Sequence, residues 1–246
     1  MDVPSEAIEA LGRATDKSKR KSTVALPIAY VKRADATPTA ARLVQSHELR
    51  LKLHMTLVMQ ATSAPFTVPD RPTQSLARLL NLPSDSGPRR ANDAKRWLRK
   101  HELITPGKLP DGKPGLLLLH PDGSGKTWEG NGNRWVGVPF TLWTNGWILR
   151  LSGRAIAALL ALLELNGGSK HDDGEFMDGH RKKQYGLSDD TWTRATKELE
   201  YYGLLRMTEG YWGDDEFERR KRKRYFVIRD ALDTPPDWAK PDFTVT

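Results

Sequence analysis

Twice in its 246 residues the chain passes through the same compound order of patterns, and that repeat constrains the fold more than any single motif. The first pass opens on Ala40–Ala61, where Leu49, Leu53, Leu57 and Gln60, with Leu51, Met55 and Val58 beside them, give a broad apolar face at helical spacing. Pro65–Val68 reads as a short strand, and Thr73–Leu80 as a second helix facing Leu76, Leu79 and Leu80 inward. Pro83–Pro88 supplies turn and cap chemistry before a third helix from about Pro88 to His101, striped by Ala91, Ala94, Trp97 and Leu98. Leu103-Ile104 and Leu116–His120 read as strands around the turn Pro110–Gly115. The second pass repeats the plan. Ser152–Leu165 is an apolar helix, Glu175–Met177 a short strand and Asp178–Tyr185 a short helix. Gly186-Leu187-Ser188 is the turn, with Ser188 as N-cap of a third helix over Asp189–Tyr202 that buries Trp192, Ala195, Leu199 and Tyr202. Gly203 suits the helix end, and Leu204–Met207 and Tyr225–Arg229 are the closing strands. The repeat implies a mainly α chain with small β-hairpins (α+β), in two small domains of about 100 residues each.

The boundaries expected are a flexible basic arm over 1–37, a first domain over 38–121, a linker and strand-like segment over 122–150, a second domain over 151–231 and a tail over 232–246. Val138–Leu151 is aromatic and strand-like, punctuated by Asn145-Gly146, and Trp128, Trp135, Trp143 and Trp147 read as packing residues. The nine apolar residues Ala155–Leu163 are too few for a membrane span, which needs about twenty. They make a core helix, with a homodimer interface as the alternative use of an all-round apolar surface. The N-terminus has no secretory pattern, so a cytoplasmic, nucleoid-associated protein with no membrane partner is expected. Without Cys there is no disulfide framework and no thiolate metal site.

Two motifs are set aside. Gly123-Ser124-Gly125-Lys126-Thr127 resembles the end of a phosphate-binding loop, but His120 stands where the full pattern needs Gly, and Trp128–Asn133 cannot supply the following helix. No nucleotide or other cofactor is expected. His171, Asp172, Asp173, Glu175, Asp178 and His180 lack the spacing of a metal site, and no catalytic triad or paired-acid pattern is legible; the expectation is a non-enzymatic chain with no metal.

The ending Glu198-Leu199-Glu200-Tyr201-Tyr202-Gly203-Leu204-Leu205 resembles the close of a winged-helix recognition helix: acid, inward Leu, reversing Gly, then an apolar pair that opens the wing. In the first unit His101 stands where Gly is usual. With the repeated order over about residues 40–230, the chain resembles the tandem winged helix-turn-helix proteins found among plasmid replication initiators and mobile-element transcriptional regulators. The resemblance implies double-stranded DNA as partner, bound at an operator or origin, and it carries no catalytic residue over.

Charge supports the same expectation. The 39 Lys and Arg against 31 Asp and Glu leave a formal charge of +8, which favours a polyanionic partner, nucleic acid or anionic membrane alike. In the first unit's third helix, Arg89, Arg90, Asn92, Asp93 and Arg96 lie toward its N-terminal, outward side, where Arg can bridge guanine and Asn adenine in a major groove. Lys95, Arg99 and Lys100 add backbone contacts. In the second unit the base-reading candidates are Thr191, Thr193, Arg194 and Lys197, with Arg181, Lys182 and Lys183 placed for phosphates. Lys19, Arg20 and Lys21 of the arm join them. The densest feature is Arg219-Arg220-Lys221-Arg222-Lys223-Arg224, read as the tip of a hairpin wing over the DNA backbone, with nuclear import as the competing reading of such a run. Six to ten phosphate contacts would make log K fall against log salt with a slope of roughly −5 to −9. The expected function is thus sequence-specific duplex binding in transcriptional regulation or in plasmid or phage DNA replication. The alternatives are a nuclease or relaxase and a winged-helix adaptor for protein.

Overall fold

The computed structural model describes residues 3–45, 47–130, 132, 134–167, 174–212 and 220–244. Its first helix, α1 (Ser5–Ser18), exists because Ala7, Leu11 and Ala14 recur on one side and are buried against later helices. Lys19 then turns the chain in the left-handed region at φ 55°. Strand β1 (Thr23–Pro27) alternates outward residues with buried Val24 and Leu26, and the single turn α2 (Ile28–Val31) buries Tyr30. The expected flexible arm is therefore folded from Ser5 to Val31, where an apolar stripe and an alternating strand tie it into the core, and it is irregular and mostly exposed over 33–37.

The helical pattern over Ala40–Ala61 is split into α3 (Thr39–Val44) and α4 (Leu49–Gln60). The first unit continues with β2 (Thr67–Pro69), α5 (Thr73–Leu79), α6 (Gly87–Lys100), β3 (Ile104–Lys108) and β4 (Pro114–Leu118). Its sheet has the order β2-β4-β3, all antiparallel, with Val68 opposite Leu116 and Ile104 opposite Leu118. Trp97 of α6 is half-buried, between His101 at 3.7 Å and the Arg50 guanidinium at 4.5 Å.

The run expected to be strand-like is mostly core, and the expected linker before it adds buried Trp128 and Val136. Strand β5 (Trp135–Pro139) pairs with β1, Val24 opposite Val138, and of the run Val138–Leu151 only Val138 and Pro139 are strand. Beyond them lie two short helical turns, α7 (Thr141–Thr144) and α8 (Trp147–Arg150), separated at Gly146. They bury Leu142, Trp143, Trp147 and Ile148.

The second unit comprises α9 (Gly153–Asn166), β6 (Glu175–Phe176), α10 (Gly179–Tyr185), α11 (Asp189–Tyr201), β7 (Leu205–Trp212) and β8 (Arg220–Val227). Its sheet order, β6-β8-β7, repeats that of the first unit, with the last strand in the centre. Each of its helices begins on a side-chain cap. Ser152 accepts from the Ala155 amide at 3.1 Å, Asp178 from Arg181 at 2.8 Å, and Ser188, as expected, from Thr191 at 3.2 Å.

One apolar core runs through both units. Helix α9 is buried from Ala155 to Leu163 and packs on α2, α3, α4, β5, α11 and β8, so its all-round apolar surface is covered within the chain. Two glycines permit the joint. At Gly153 a Cβ would stand 2.6 Å from that of Glu48, whose carboxylate meets the Gly153 amide at 3.0 Å. At Gly186, φ 66° favours glycine, and a Cβ would meet Ala41, Pro38 and Thr37 at 3.0–3.1 Å. The turn before α11 is thus docked on the α3 segment. After a 3-10 turn over Arg229–Asp233 the tail is irregular yet fastened: Trp147 donates to the Thr234 carbonyl at 2.9 Å, and Arg150 to Asp242 at 2.7 Å. No helix among the described residues is long and apolar enough to cross a membrane.

Candidate nucleic-acid interface

Helix α6 follows the β2–α5 segment and has Pro88 at its start, where a missing N–H costs nothing. Burying Ala91, Ala94 and Leu98 turns Arg89, Arg90, Asp93, Arg96, Arg99 and Lys100 to solvent, with Asn92 half-buried. Its first turn holds no acid, so the positive end of the helix dipole and Arg89 and Arg90 add. Two of its cations are partly engaged: Arg96 lies 3.8 Å from Asp93, and Arg99 3.3 Å from Asp70. Lys95 departs from expectation. It is buried and ion-paired with Asp70, so it serves the scaffold rather than a phosphate.

Helix α11 contrasts at every point. Its first turn carries Asp189 and Asp190. Lys182 of α10 bonds Asp189 at 2.7 Å, holding that carboxyl below the usual carboxylate range. Arg194 reaches back to Asp190 at 2.8 Å and shares a cavity with Asn81 of the α5–α6 turn. Thr191 is half-buried beside His47 and Glu48, whereas Thr193 and Lys197 are exposed. In α10, Arg181 donates to the Phe176 carbonyl at 2.9 Å, and of Arg181, Lys182 and Lys183 the last alone is fully exposed.

The described part of the cation run lies along a strand, not at a hairpin tip. From residue 220 it belongs to β8, which pairs along its whole length with β7: Trp212 opposite Arg220, Gly210 opposite Arg222, Thr208 opposite Arg224. Arg219 and the acids Asp214, Asp215 and Glu216 lie outside the described residues. Strand alternation sorts the charges between two faces. Tyr225 faces inward, its hydroxyl receiving the Trp192 indole N–H at 3.1 Å, so Lys223 and Lys221 continue that face beyond the helices. Arg222 and Arg224 lie on the other, where Arg224 covers the Phe176 ring at 4.7 Å and Arg206 of β7 covers Phe226 at 4.1 Å. Lys221 is paired with Glu209. Arg206 and the well-exposed Tyr211 escape the sequence reading, which ends β7 at Met207. The alternation through Glu209 and Tyr211 was the available signal.

Of the arm's cations, Arg20 is structural. Its guanidinium donates to the carbonyls of Met59 (2.9 Å), Val58 (3.3 Å) and Ala61 (2.7 Å), closing the C-terminus of α4. Lys19 and Lys21 are exposed. Asp178 of the candidate metal set caps α10, Glu175 pairs in β6, and His171, Asp172 and Asp173 lie outside the described residues. Among the described residues no group of three His, Cys, Asp or Glu could hold a metal. The Gly123–Thr127 segment is a turn, closed by a bridge between Leu119 and Thr127.

What the surface can do chemically is bind a polyanion: exposed guanidinium groups at the start of one helix, and a ribbon, β7–β8, with cations on both faces. Compared with protein-family models, with curated proteins and with solved structures, the chain gives no match, so this reading rests on its own residues.

Proposed function

We propose that the chain is a sequence-specific double-stranded DNA-binding protein built from two winged-helix units in tandem, of the kind that marks an operator or a replication origin. The observation that carries this reading is the exposed pair Arg89 and Arg90 at the acid-free start of α6, with exposed Arg96 further along the helix and the cationic ribbon β7–β8 as a second contact. In this reading α6 is the base reader, since a helix end fits a major groove and Arg matches guanine bidentately. The ribbon is the wing, and its Lys221, Arg222 and Lys223 neutralise phosphates without reading sequence. Helix α11 has a lesser part, because its acidic first turn repels phosphates and its docked turn limits approach.

The test is enrichment of random duplexes on the purified chain, followed by anisotropy titration of the enriched site against a scrambled one. A defined site bound at least about a hundredfold more tightly than the scramble is expected. Flat affinity would end the claim of specificity, and no affinity at low salt would end the DNA reading. Incubating supercoiled DNA with the chain and magnesium in parallel identifies a nuclease by nicking.

A further inference from the structure

Where the two units meet the C-terminal tail lies a cavity of about 350 Å³, within the range of small-molecule sites. Lys52 of α4, Arg150 of α8, Glu198 and Tyr202 at the end of α11, and Trp238 and Asp242 of the tail line it. Its hydrogen-bonding groups are unequally used. Both Glu198 carboxylate oxygens are taken, by the Ser152 amide and hydroxyl at 2.6 Å each. Asp242, half-exposed, gives its Oδ1 to Arg150 at 2.7 Å. The donors are in surplus. Arg150 has a side chain only 2% exposed, and it gives bonds to Asp242 and to the Lys240 and Pro241 carbonyls while its buried Nε has no acceptor. Lys52 spends one hydrogen on the Leu149 carbonyl at 3.0 Å and makes no ion pair among the described residues. Such a cavity is completed by a ligand that brings acceptors. The rings of Tyr202 and Trp238, which flank the Arg150 guanidinium at 5.0 and 5.7 Å, add flat apolar walls that an inorganic anion would leave unused.

We propose that this cavity binds a small aromatic carboxylate, its carboxylate on the Lys52 ammonium with the Arg150 Nε–H as second donor, and its ring beside Tyr202 and Trp238. Because α4, α11 and the tail all line the cavity, the ligand joins both units; its role as an effector of duplex affinity rests on the DNA reading above. Burial holds the Lys52 ammonium down at about 8 against the nearby carboxylates of Glu48, Glu198 and Asp242, which act to raise it, so an anion that needs its proton binds well at pH 7 and loses affinity as pH rises past 8.

The experiment is isothermal titration of the full chain with benzoate and salicylate, and with acetate and phosphate as comparisons. The aromatic acids should bind at least about tenfold more tightly than acetate or phosphate, and lose about tenfold between pH 7 and pH 9. Lys52→Met should abolish most of that affinity. Should that variant fail to fold, Trp238→Ala, on the half-exposed tail, should weaken the aromatic acids several-fold and leave acetate unchanged. No binding of either aromatic acid up to about 10 mM, equal affinity for phosphate, or a flat pH profile overturns the assignment. The same samples titrated with duplex keep the two readings apart. Aromatic-acid binding without duplex binding fails the DNA reading and leaves the cavity standing, and duplex binding without aromatic-acid binding does the reverse.

Discussion

In the first unit the outward cations ride on the third helix, while the ribbon β3–β4 offers only Lys108 and an Lys113 already bonded to Asp111 at 2.8 Å. In the second unit the third helix opens on Asp189 and Asp190, and the cations have moved to β8. Element order and sheet order are the same in both. One scaffold thus carries charge in two places. A helix end presents few side chains at angles suited to base edges, whereas a paired strand presents a row spaced like a backbone contact. The pattern suits a division of labour in which one unit reads and the other holds.

The sharpest way to break that comparison is to disarm one helix at a time. Arg89→Ala with Arg90→Ala should cost about 2–4 kcal/mol of duplex affinity and flatten the preference for the selected site over a scramble. Thr193→Ala with Lys197→Ala in α11 should cost less than about 1 kcal/mol and leave preference intact. Anisotropy titrations of both variants decide it. Equal losses would restore α11 as a second reader.

A second contrast concerns the scaffold. Helix α4 is closed from outside by Arg20, while α9 closes on its own backbone, the Gly167 amide meeting the Glu164 carbonyl at 3.2 Å. Arg20→Ala leaves three carbonyls without their cation and should lower stability by about 2–3 kcal/mol, read as a fall in the urea midpoint. Lys21→Ala, one residue on and exposed, should change nothing measurable. If both behave alike, the N-terminal segment is looser than its contacts indicate.

Most of the repeated core was legible because periodicity reports it directly. The stripes Ala91–Ala94–Leu98 and Trp192–Ala195–Leu199, and the Ser188 cap, stand where spacing places them. Three things were not legible, each for a physical reason. Helix α1 buries a stripe of small residues with a single Leu11, which announces no core until α4, α5 and α7 supply its other side. The 138–151 run is aromatic and β-branched enough to read as strand, yet Gly146 at φ 82° divides two helical turns. Of the candidate interface, the exposed face of α6 was readable, but which cations are spent internally was not. Arg20 and Lys95 find partners 38 to 41 and 25 residues away, and no local pattern encodes that.

The first helices of the units also differ in buried polarity. Where α9 buries only apolar residues from Ala155 to Leu163, α4 encloses His54, whose Nδ1 meets the Tyr30 hydroxyl at 3.1 Å and whose Nε2 has no partner. Burial pushes the imidazole down to about 3. Below the ordinary value near 6.5 the unfolded chain takes up a proton that the folded chain refuses, so this group's stability is lost as pH falls from about 6.5 toward 3. At pH 5 the loss should be about 2 kcal/mol. Urea unfolding at pH 7 and pH 5 measures it, and His54→Gln should remove most of the difference. An unchanged pH slope in that variant would assign the acid sensitivity elsewhere.

The smallest effect separates reading from holding. Arg222→Ala in β8 and Arg96→Ala in α6 each remove one guanidinium, half-buried in the first case and exposed in the second, so simple charge counting predicts the same outcome for both. The division of labour predicts different ones. Loss of Arg222 should weaken every duplex alike, by about 0.5–1 kcal/mol, and make the slope of log K against log salt shallower by about 0.9. Loss of Arg96 should fall more heavily on the selected site than on the scramble, because a base contact exists only with the right base. Titrations of both sites at four salt concentrations give slope and preference together. If Arg222→Ala changes preference, or Arg96→Ala changes only slope, the ribbon and the helix have exchanged the parts assigned to them.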